Sequence, residues 1–219
     1  MKNSVLELMV VLSIVFTVAS QVQANLVVNG SFEDPVVPTE EWPPDPLVPS
    51  DEYPSLPGWT IVSGNFNLCG INSWASAVGN QNLDLAGNTN GSLMQNITTV
   101  VGQEYTLSFY YSDNPYMSVA GVASVTVMDN SSEVLLVDET VTGPGNNSPT
   151  DMEWKQFSIN FIATSTSISL TFTSLSNPDL NEASPTLDGV VLEAVPEPVT
   201  LALLAGGGVL IFAVKRRRR

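Results

Sequence analysis

The segment ATSTSISLTFTS, residues 163–174, alternates apolar and small polar side chains with a period of two. Ile168, Leu170 and Phe172 occupy every second position, and serine and threonine fill the positions between them. Because successive side chains of an extended strand point to opposite faces, this pattern predicts a strand with one buried and one solvated face. A chain built from such strands has to bury their apolar faces against each other.

Other short segments also have the character of strands. In EYTLSFYY (104–111) one face carries Tyr105, Leu107, Phe109 and Tyr111, and in WKQFSINFIA (154–163) a core face carries Phe157, Ile159 and Phe161. Further strands are predicted at 25–28, 58–63, 82–86, 92–98, 121–128, 133–138 and 186–193. No stretch of helical period interrupts them, and Gly, Asn, Pro and Asp fill the intervals. About ten short strands without helices favour an all-β fold, a sandwich of two antiparallel sheets.

A proline-rich and acidic segment occupies residues 35–57, PVVPTEEWPPDPLVPSDEYPSLP, with eight of the 15 prolines of the chain. Proline removes backbone donors and precludes a regular helix or a central strand, so the segment is expected to be a long surface loop. Two interpretations remain open. The loop is either a mobile insertion or a binding loop in which Trp42 and Tyr53 offer flat faces to sugars.

Negative charge dominates the part of the chain between residues 25 and 195, which carries 20 of the 22 acidic residues and one base, Lys155. Such a surface repels nucleic acid and anionic lipid headgroups, so nucleic acid is excluded as a partner. Salt or a divalent cation would relieve the self-repulsion.

The chain has no histidine and a single cysteine, Cys69. This composition excludes Ser-His-Asp and Cys-His catalysis, the common zinc sites and an intrachain disulfide. Cys69 is expected to be buried as a small hydrophobic side chain, with a free thiol for an intermolecular bond as the alternative.

The first 24 residues are typical of a secretory signal peptide. Lys2 precedes an apolar run from Leu8 to about Ala19, and the small side chains of Val22 and Ala24 suit the −3 and −1 positions of a signal peptidase site. Cleavage after Ala24 is expected to export the protein, with an uncleaved anchor helix as the alternative.

At the other end, an apolar run at 199–214 precedes five bases at 215–219. As a helix it would span about 24 Å, a little less than the hydrocarbon core of a bilayer at about 30 Å. Bases beside an apolar helix stay on the cytoplasmic side, so the run is expected to halt export as a transmembrane helix.

Together with the motif before it, this tail resembles a known sorting signal, the PEP-CTERM tail of Gram-negative bacteria. The motif residues are Val195, Pro196, Glu197 and Pro198, and the basic cluster after the apolar run includes Arg216, Arg217, Arg218 and Arg219. The resemblance implies an exosortase that processes the tail at 195–219, with a simple C-terminal anchor as the alternative. The protein is then tethered to the inner membrane in transit and afterwards lies at the cell surface or outside the cell.

The body, residues 25–194, resembles a second family. In order along the chain it carries NLVVNGSFEDP, GW, QNLDLAG, GSLMQ, EYTLSF, DNP, a W…F…FIATS segment and TLDGVVL. Together these are similar to the choice-of-anchor C family of bacteria, which is related to a plant cell-wall family of unknown function. The resemblance implies a secreted, non-catalytic jelly roll of the galactose-binding-like kind that binds polysaccharide.

The same resemblance implies a structural calcium ion. Glu33 and Asp188 would supply its carboxylates, and backbone carbonyls near Asn29 and Ser31 would fill the shell. The alternative is that both carboxylates cap turns without a metal.

Sugar binding needs an aromatic plate for C–H faces and fixed polar groups for hydroxyls. The candidates that offer both are Trp74, Asp84, Tyr110, Asp113 and Asn114. Asp84 stands between two leucines and would therefore be solvated or lie in a groove, whereas Trp59 and Trp154 are expected in the core.

These observations favour a non-enzymatic protein of the cell surface or extracellular matrix that binds polysaccharide, such as the exopolysaccharide of the same cell. Two alternatives stay open. One is a structural matrix protein without a specific ligand, and the other is a glycosidase that works with two carboxyl groups.

Overall fold

The computed structural model of the chain describes residues 24–37, 46–47, 56–87, 89–176 and 183–196. Most of the predicted signal peptide, much of the proline-rich segment and the predicted sorting tail from Glu197 onward lie outside these ranges, and so do both predicted terminal helices. Within them, no helix has the length and apolar character needed to cross a membrane.

The described residues form eleven strands, as follows: β1 Pro46–Leu47, β2 Thr60–Ser63, β3 Phe66–Gly70, β4 Gln81–Asp84, β5 Ser92–Thr98, β6 Glu104–Asp113, β7 Val122–Asp129, β8 Leu135–Thr142, β9 Lys155–Ile162, β10 Ser167–Ser174 and β11 Pro185–Ala194. They pair into two sheets. The first sheet has the order β1-β3-β4-β11-β6-β9, and the second sheet has the order β2-β5-β10-β7-β8.

Every pairing between neighbouring strands is antiparallel. The predicted all-β sandwich of two antiparallel sheets is therefore confirmed.

The main core lies between the two sheets, where the period-two pattern placed it. Ile168, Leu170 and Phe172 of β10 are fully buried, and so are Leu107 and Phe109 of β6. The Phe109 ring lies 5.0 Å from the ring of Phe172, centroid to centroid, across the interface between the sheets. Large apolar side chains from both sheets thus interlock at the centre of the molecule.

Parts of the strand prediction differ from the structure, beginning with β1 (Pro46–Leu47), which pairs with β3 and lies inside the segment predicted as a surface loop. The prediction of a strand at 25–28 is wrong, because the Asn25 side chain takes the place of a ladder: its Oδ1 accepts the backbone N–H groups of Val27 and Leu192, each at 3.0 Å. Asn29 then turns the chain at a positive φ of 53°. Strand β3 was not predicted, since its short sequence FNLCG ends in glycine and carries only a weak alternation.

A second, smaller cluster lies on the opposite face of the first sheet. Cys69, Trp74 and Met152 are buried there, and Trp154 packs against them. The loops at 71–80 and 143–154 bring these side chains over the sheet. Cys69 is fully buried, as expected, and burial, followed by the nearby Asp84 carboxylate, raises the pKa of its thiol.

Candidate functional site

A row of polar side chains crosses the first sheet on the face opposite to the main core. Strand register places Asn67, Asp84, Thr186 and Ser112 side by side on β3, β4, β11 and β6. We call these four residues the polar row. Asp84, Thr186 and Ser112 are each at most 1 % exposed, because the covering loops close over them. The Ser112 hydroxyl, for example, donates to the Met152 carbonyl.

Asp84 is a buried carboxyl group that has no positively charged partner among the described residues. Burial raises its pKa to about 7, and hydrogen bonds from the Ser184 side chain, the Ala86 N–H and the Asn114 side chain act against that rise. Lys155, the one base within the described ranges, donates instead to the carbonyls of Thr142 and Gly143 at 3.2 and 3.1 Å. Asp84 therefore sits in a dehydrated, polar and uncompensated environment.

A pocket of about 140 Å³ opens beside Asp84 at the end of the sandwich. Its lining is small, polar or flexible: Ala86, Gly87, Thr89, Asn90, Asn114, Met117, Ser176 and Ser184. Asn114 and Ser184 both line the pocket and hydrogen-bond Asp84, so the carboxyl lies directly behind the pocket wall. Asp84 was expected to be solvated or to lie in a groove. It is instead buried behind residues that line the pocket.

The loop after β6 carries an exposed aromatic ring between two residues that line this pocket, Asn114 and Met117. The Asn114 side chain accepts the N–H of Tyr116 at 3.0 Å, and its carbonyl accepts the N–H of Met117 at 3.3 Å. Tyr116 is 55 % exposed, and its ring lies 6.3 Å from the ring of Trp74, which is only 2 % exposed. Trp74 was predicted as the sugar-stacking plate, but it is the buried support, and Tyr116 is the ring that faces solvent.

The structure separates two other predicted ligand residues from the pocket. Asp113 is buried, and its Oδ2 accepts the N–H groups of Gly121 and Gly145 at 3.1 and 3.0 Å, so it ties two loops together. Burial raises its pKa, and those two hydrogen bonds oppose the rise. Tyr110 pairs in register with Asp188 on β11 and packs over Gly189. Of the five candidates, Asp84 and Asn114 are in direct contact.

Glu33 and Asp188 meet at one loop, residues 77–81. Asp188 Oδ2 accepts the N–H groups of Ala77 and Val78, both at 2.8 Å. Further along the same loop, Glu33 Oε1 accepts the N–H groups of Asn80 at 2.7 Å and Gln81 at 2.9 Å. Burial raises the pKa of Asp188 to about 7, and repulsion from Glu33 adds to the rise. The two carboxylates hold this loop against the sheet.

The oxygens near Glu33 and Asp188 are largely occupied by these N–H donors. Asp188 Oδ1 accepts the N–H of Gly189 at 2.6 Å, and the Asn29 carbonyl accepts from Phe32 and from the Trp59 indole, each at 3.2 Å. Calcium takes six to eight oxygen ligands. In the part of the chain that the structure describes, no three His, Cys, Asp or Glu side chains are grouped as metal ligands. The described side chains would fill only part of a calcium shell here and water would have to supply the rest, so calcium at this place stays a prediction.

Sequence reasoning missed Tyr116, Ser184 and most of the pocket lining. The signal that could have revealed Tyr116 is its position in the turn DNPY, directly after a long predicted strand. Pocket residues such as Thr89 and Ser176 come from distant segments, and no local pattern brings them together.

Comparison with known proteins identifies a family and a fold. Residues 25–193 match the family described as "Protein of unknown function (DUF642)". Halomucin of Haloquadratum walsbyi (strain DSM 16790 / HBSQ001) is 29% identical over 183 residues, which cover 82% of this chain and 2% of Halomucin. This chain therefore corresponds to a small part of that relative.

Two solved structures share the fold. TmCBM61 in complex with beta-1,4-galactotriose is 17% identical with a TM-score of 0.50, over 79% of this chain and 100% of that chain. The arabinose-bound MgGH51 α-L-arabinofuranosidase is 15% identical with a TM-score of 0.50, over 78% of this chain and 26% of that chain. At these identities the likeness shows the β-sandwich fold alone.

Proposed function

This chain belongs to the DUF642 family of proteins of unknown function, and we propose that its β-sandwich is a non-catalytic module that binds polysaccharide at the pocket beside Tyr116. The observation that carries this proposal is the combination of an exposed aromatic ring on a fixed turn with a pocket of small polar side chains that residues of the same turn line.

The pocket has the chemistry that sugars require. The Tyr116 ring would stack on the C–H face of one residue, with Trp74 holding it from behind. Asn114 and Ser184 would bond the hydroxyls, because Asp84 fixes both of them from inside. The shared fold with TmCBM61, whose structure contains galactotriose, supports a sugar as the class of ligand.

A glycosidase is the weaker alternative. Hydrolysis needs two carboxyl groups that reach the scissile bond. None of the described residues that line this pocket carries a carboxyl group, and Asp84 is turned toward Asn114 and Ser184 behind the wall. MgGH51 is an enzyme, but this chain covers only 26% of it. A structural matrix protein without a ligand is the second alternative.

The proposal includes export and sorting, which rest on the sequence of the two ends. Signal peptidase would cleave after Ala24, and an exosortase would process the tail after the membrane helix has halted export. The protein would then reside at the cell surface or in the extracellular matrix, among exopolysaccharide. We include structural calcium between Glu33 and Asp188, supported by the repulsion between these two carboxylates that a cation would relieve.

The test is co-sedimentation of the purified full-length chain with a panel of insoluble polysaccharides. Retention on one polymer by the wild type, lost in Tyr116→Ala, supports the proposal. Val119→Ala is the matched control, since Val119 is 43 % exposed a few residues further along the same loop. Retention on no polymer would favour the matrix protein, and release of reducing ends would favour the glycosidase.

A further inference from the structure

Buried oxygens without a hydrogen-bond partner concentrate around the polar row. Among the described residues, five buried side-chain oxygens and one nitrogen lack one, namely Asn67 Oδ1, Asn82 Oδ1, Asp113 Oδ1, Asn147 Oδ1, Thr186 Oγ1 and Trp74 Nε1. Two of the five oxygens belong to the polar row itself. Buried polar groups in folded proteins are nearly always satisfied, so this concentration indicates a missing partner.

The missing partner has to approach these oxygens as a donor or a cation. The amide nitrogen of Asn82 already donates to the Trp74 carbonyl at 3.2 Å, and that of Asn147 donates to the Asp113 carbonyl at 2.6 Å. Their free oxygens can therefore only accept. Four of the five oxygens belong to amide or carboxyl groups, and Thr186 Oγ1 is a hydroxyl oxygen; all five are oxygen atoms of the kind that a hard cation coordinates.

Asn67 and Thr186 flank Asp84 on its two neighbouring strands. Both are its direct partners in the antiparallel register, so their Cβ atoms lie about 5 Å from that of Asp84 on the same face. Asn67 Oδ1 and Thr186 Oγ1 are the two unpartnered atoms of the row, one on each side of the carboxylate. An ion above Asp84 would reach both.

The pocket provides access to this place. Asn67 Oδ1 lies near Gly87, since a Cβ added to Gly87 would be 3.0 Å from it, and Gly87 lines the pocket. Ser184 and Asn114, which bond Asp84, line it as well. Water from the pocket can thus complete a coordination shell that the protein supplies only in part.

We propose that Asp84, Asn67 and Thr186 bind a calcium ion at the inner wall of the pocket, separate from Glu33 and Asp188. Calcium fits better than magnesium, because it accepts irregular geometry and neutral oxygens, whereas magnesium demands near-ideal octahedral geometry. The site needs no glycan, so its failure and the failure of polysaccharide binding are separate results.

The experiment is a calcium titration of the full-length chain after removal of divalent ions, followed by thermal melting. Binding only to the folded state should raise the melting temperature by roughly 5–10 °C at a calcium concentration about a hundred times the Kd. Asp84→Asn should abolish the shift, and Thr186→Val should weaken calcium affinity about tenfold or more. Asp129→Asn is the matched control, because Asp129 is a buried carboxylate of the second sheet that Ser131 and Thr164 already satisfy.

Each outcome decides the proposal. A shift that survives in Asp129→Asn and disappears in Asp84→Asn supports it, and Thr186→Val gives an independent reading if Asp84→Asn does not fold. A shift that survives Asp84→Asn but is lost in Glu33→Gln or Asp188→Asn would assign the ion to the other carboxylate pair and overturn it. Absence of any shift in the wild type would also overturn it and leave ordered water as the partner of these oxygens.

Discussion

Replacing Asp84 by Asn should remove a large part of the pH dependence of folding stability. Burial keeps the carboxyl of Asp84 protonated up to a pKa of about 7 in the folded chain, against 3.8 for an ordinary aspartate. Between these two values the folded state binds a proton that the unfolded chain has released. The free energy of unfolding of the metal-free protein therefore falls as the pH rises from about 4 to about 7, and it stays level above that.

The magnitude follows from the width of that window. About three pH units at about 1.4 kcal/mol each give a loss of about 4 kcal/mol from Asp84, as an upper value that water entering from the pocket would reduce. Asp188, whose pKa is also about 7, adds a loss in the same window. Asp84→Asn, which keeps the shape of the side chain, should therefore remove about half of the combined dependence.

Urea unfolding at pH 4 and pH 8, in a chelator, measures this difference. The variant should match the wild type at pH 4, where the loss from Asp84 begins, and be the more stable protein at pH 8, with the slope of free energy against urea unchanged. Asp188→Asn should remove the other part of the pH dependence in the same measurement. Equal losses in wild type and Asp84→Asn between the two pH values would refute the account of Asp84 as a buried, uncompensated carboxyl.

Four further variants test the packing, the turns and a hydrogen-bonded carboxylate. Phe172→Ala removes a fully buried ring at the centre of the core and should lower the free energy of unfolding by about 3–5 kcal/mol in urea. Gly64→Ala should lower the melting temperature far more than Gly102→Ala, because both have positive φ but a Cβ on Gly64 would lie 1.9 Å from the Asn90 carbonyl oxygen, while Gly102 has open space. Asp129→Asn should flatten the acid limb of the stability curve: hydrogen bonds from Thr164 and Ser131 hold the pKa of Asp129 below its usual range, so its contribution is lost as the pH falls below about 4.

The strands were predictable because alternation is a local property. The core faces of β6, β9 and β10 follow from the period of two in each segment by itself, and the structure confirms them. A short segment with weak alternation, such as β3, gives no such signal. The sequence also gives no signal that the Asn25 side chain, rather than a ladder of backbone hydrogen bonds, holds its segment beside β11.

The surroundings of Asp84 were not predictable, because they depend on distant segments. Two flanking leucines correctly indicate that its side chain faces away from the main core. Sequence alternation cannot show that two loops, at 71–80 and 143–154, cover this outer face and dehydrate it. The same packing buries Trp74 and leaves Tyr116 exposed, so the aromatic residue that reaches solvent is set by the fold rather than by residue type.

The path of β11 relates the pocket to the point where the chain leaves the sandwich. The strand begins at Pro185, next to the pocket residue Ser184, and its ten residues span about 33 Å. Beyond it, Val195 donates its N–H to the Glu104 carbonyl at 2.8 Å and accepts from the Gln103 side chain at 2.7 Å, at the opposite end of β6 from Asn114. The described chain therefore exits at the end of the sandwich remote from the pocket. A tether attached after Val195, as the proposed sorting would provide, would hold the pocket outward, where polysaccharide in the surrounding matrix can reach it.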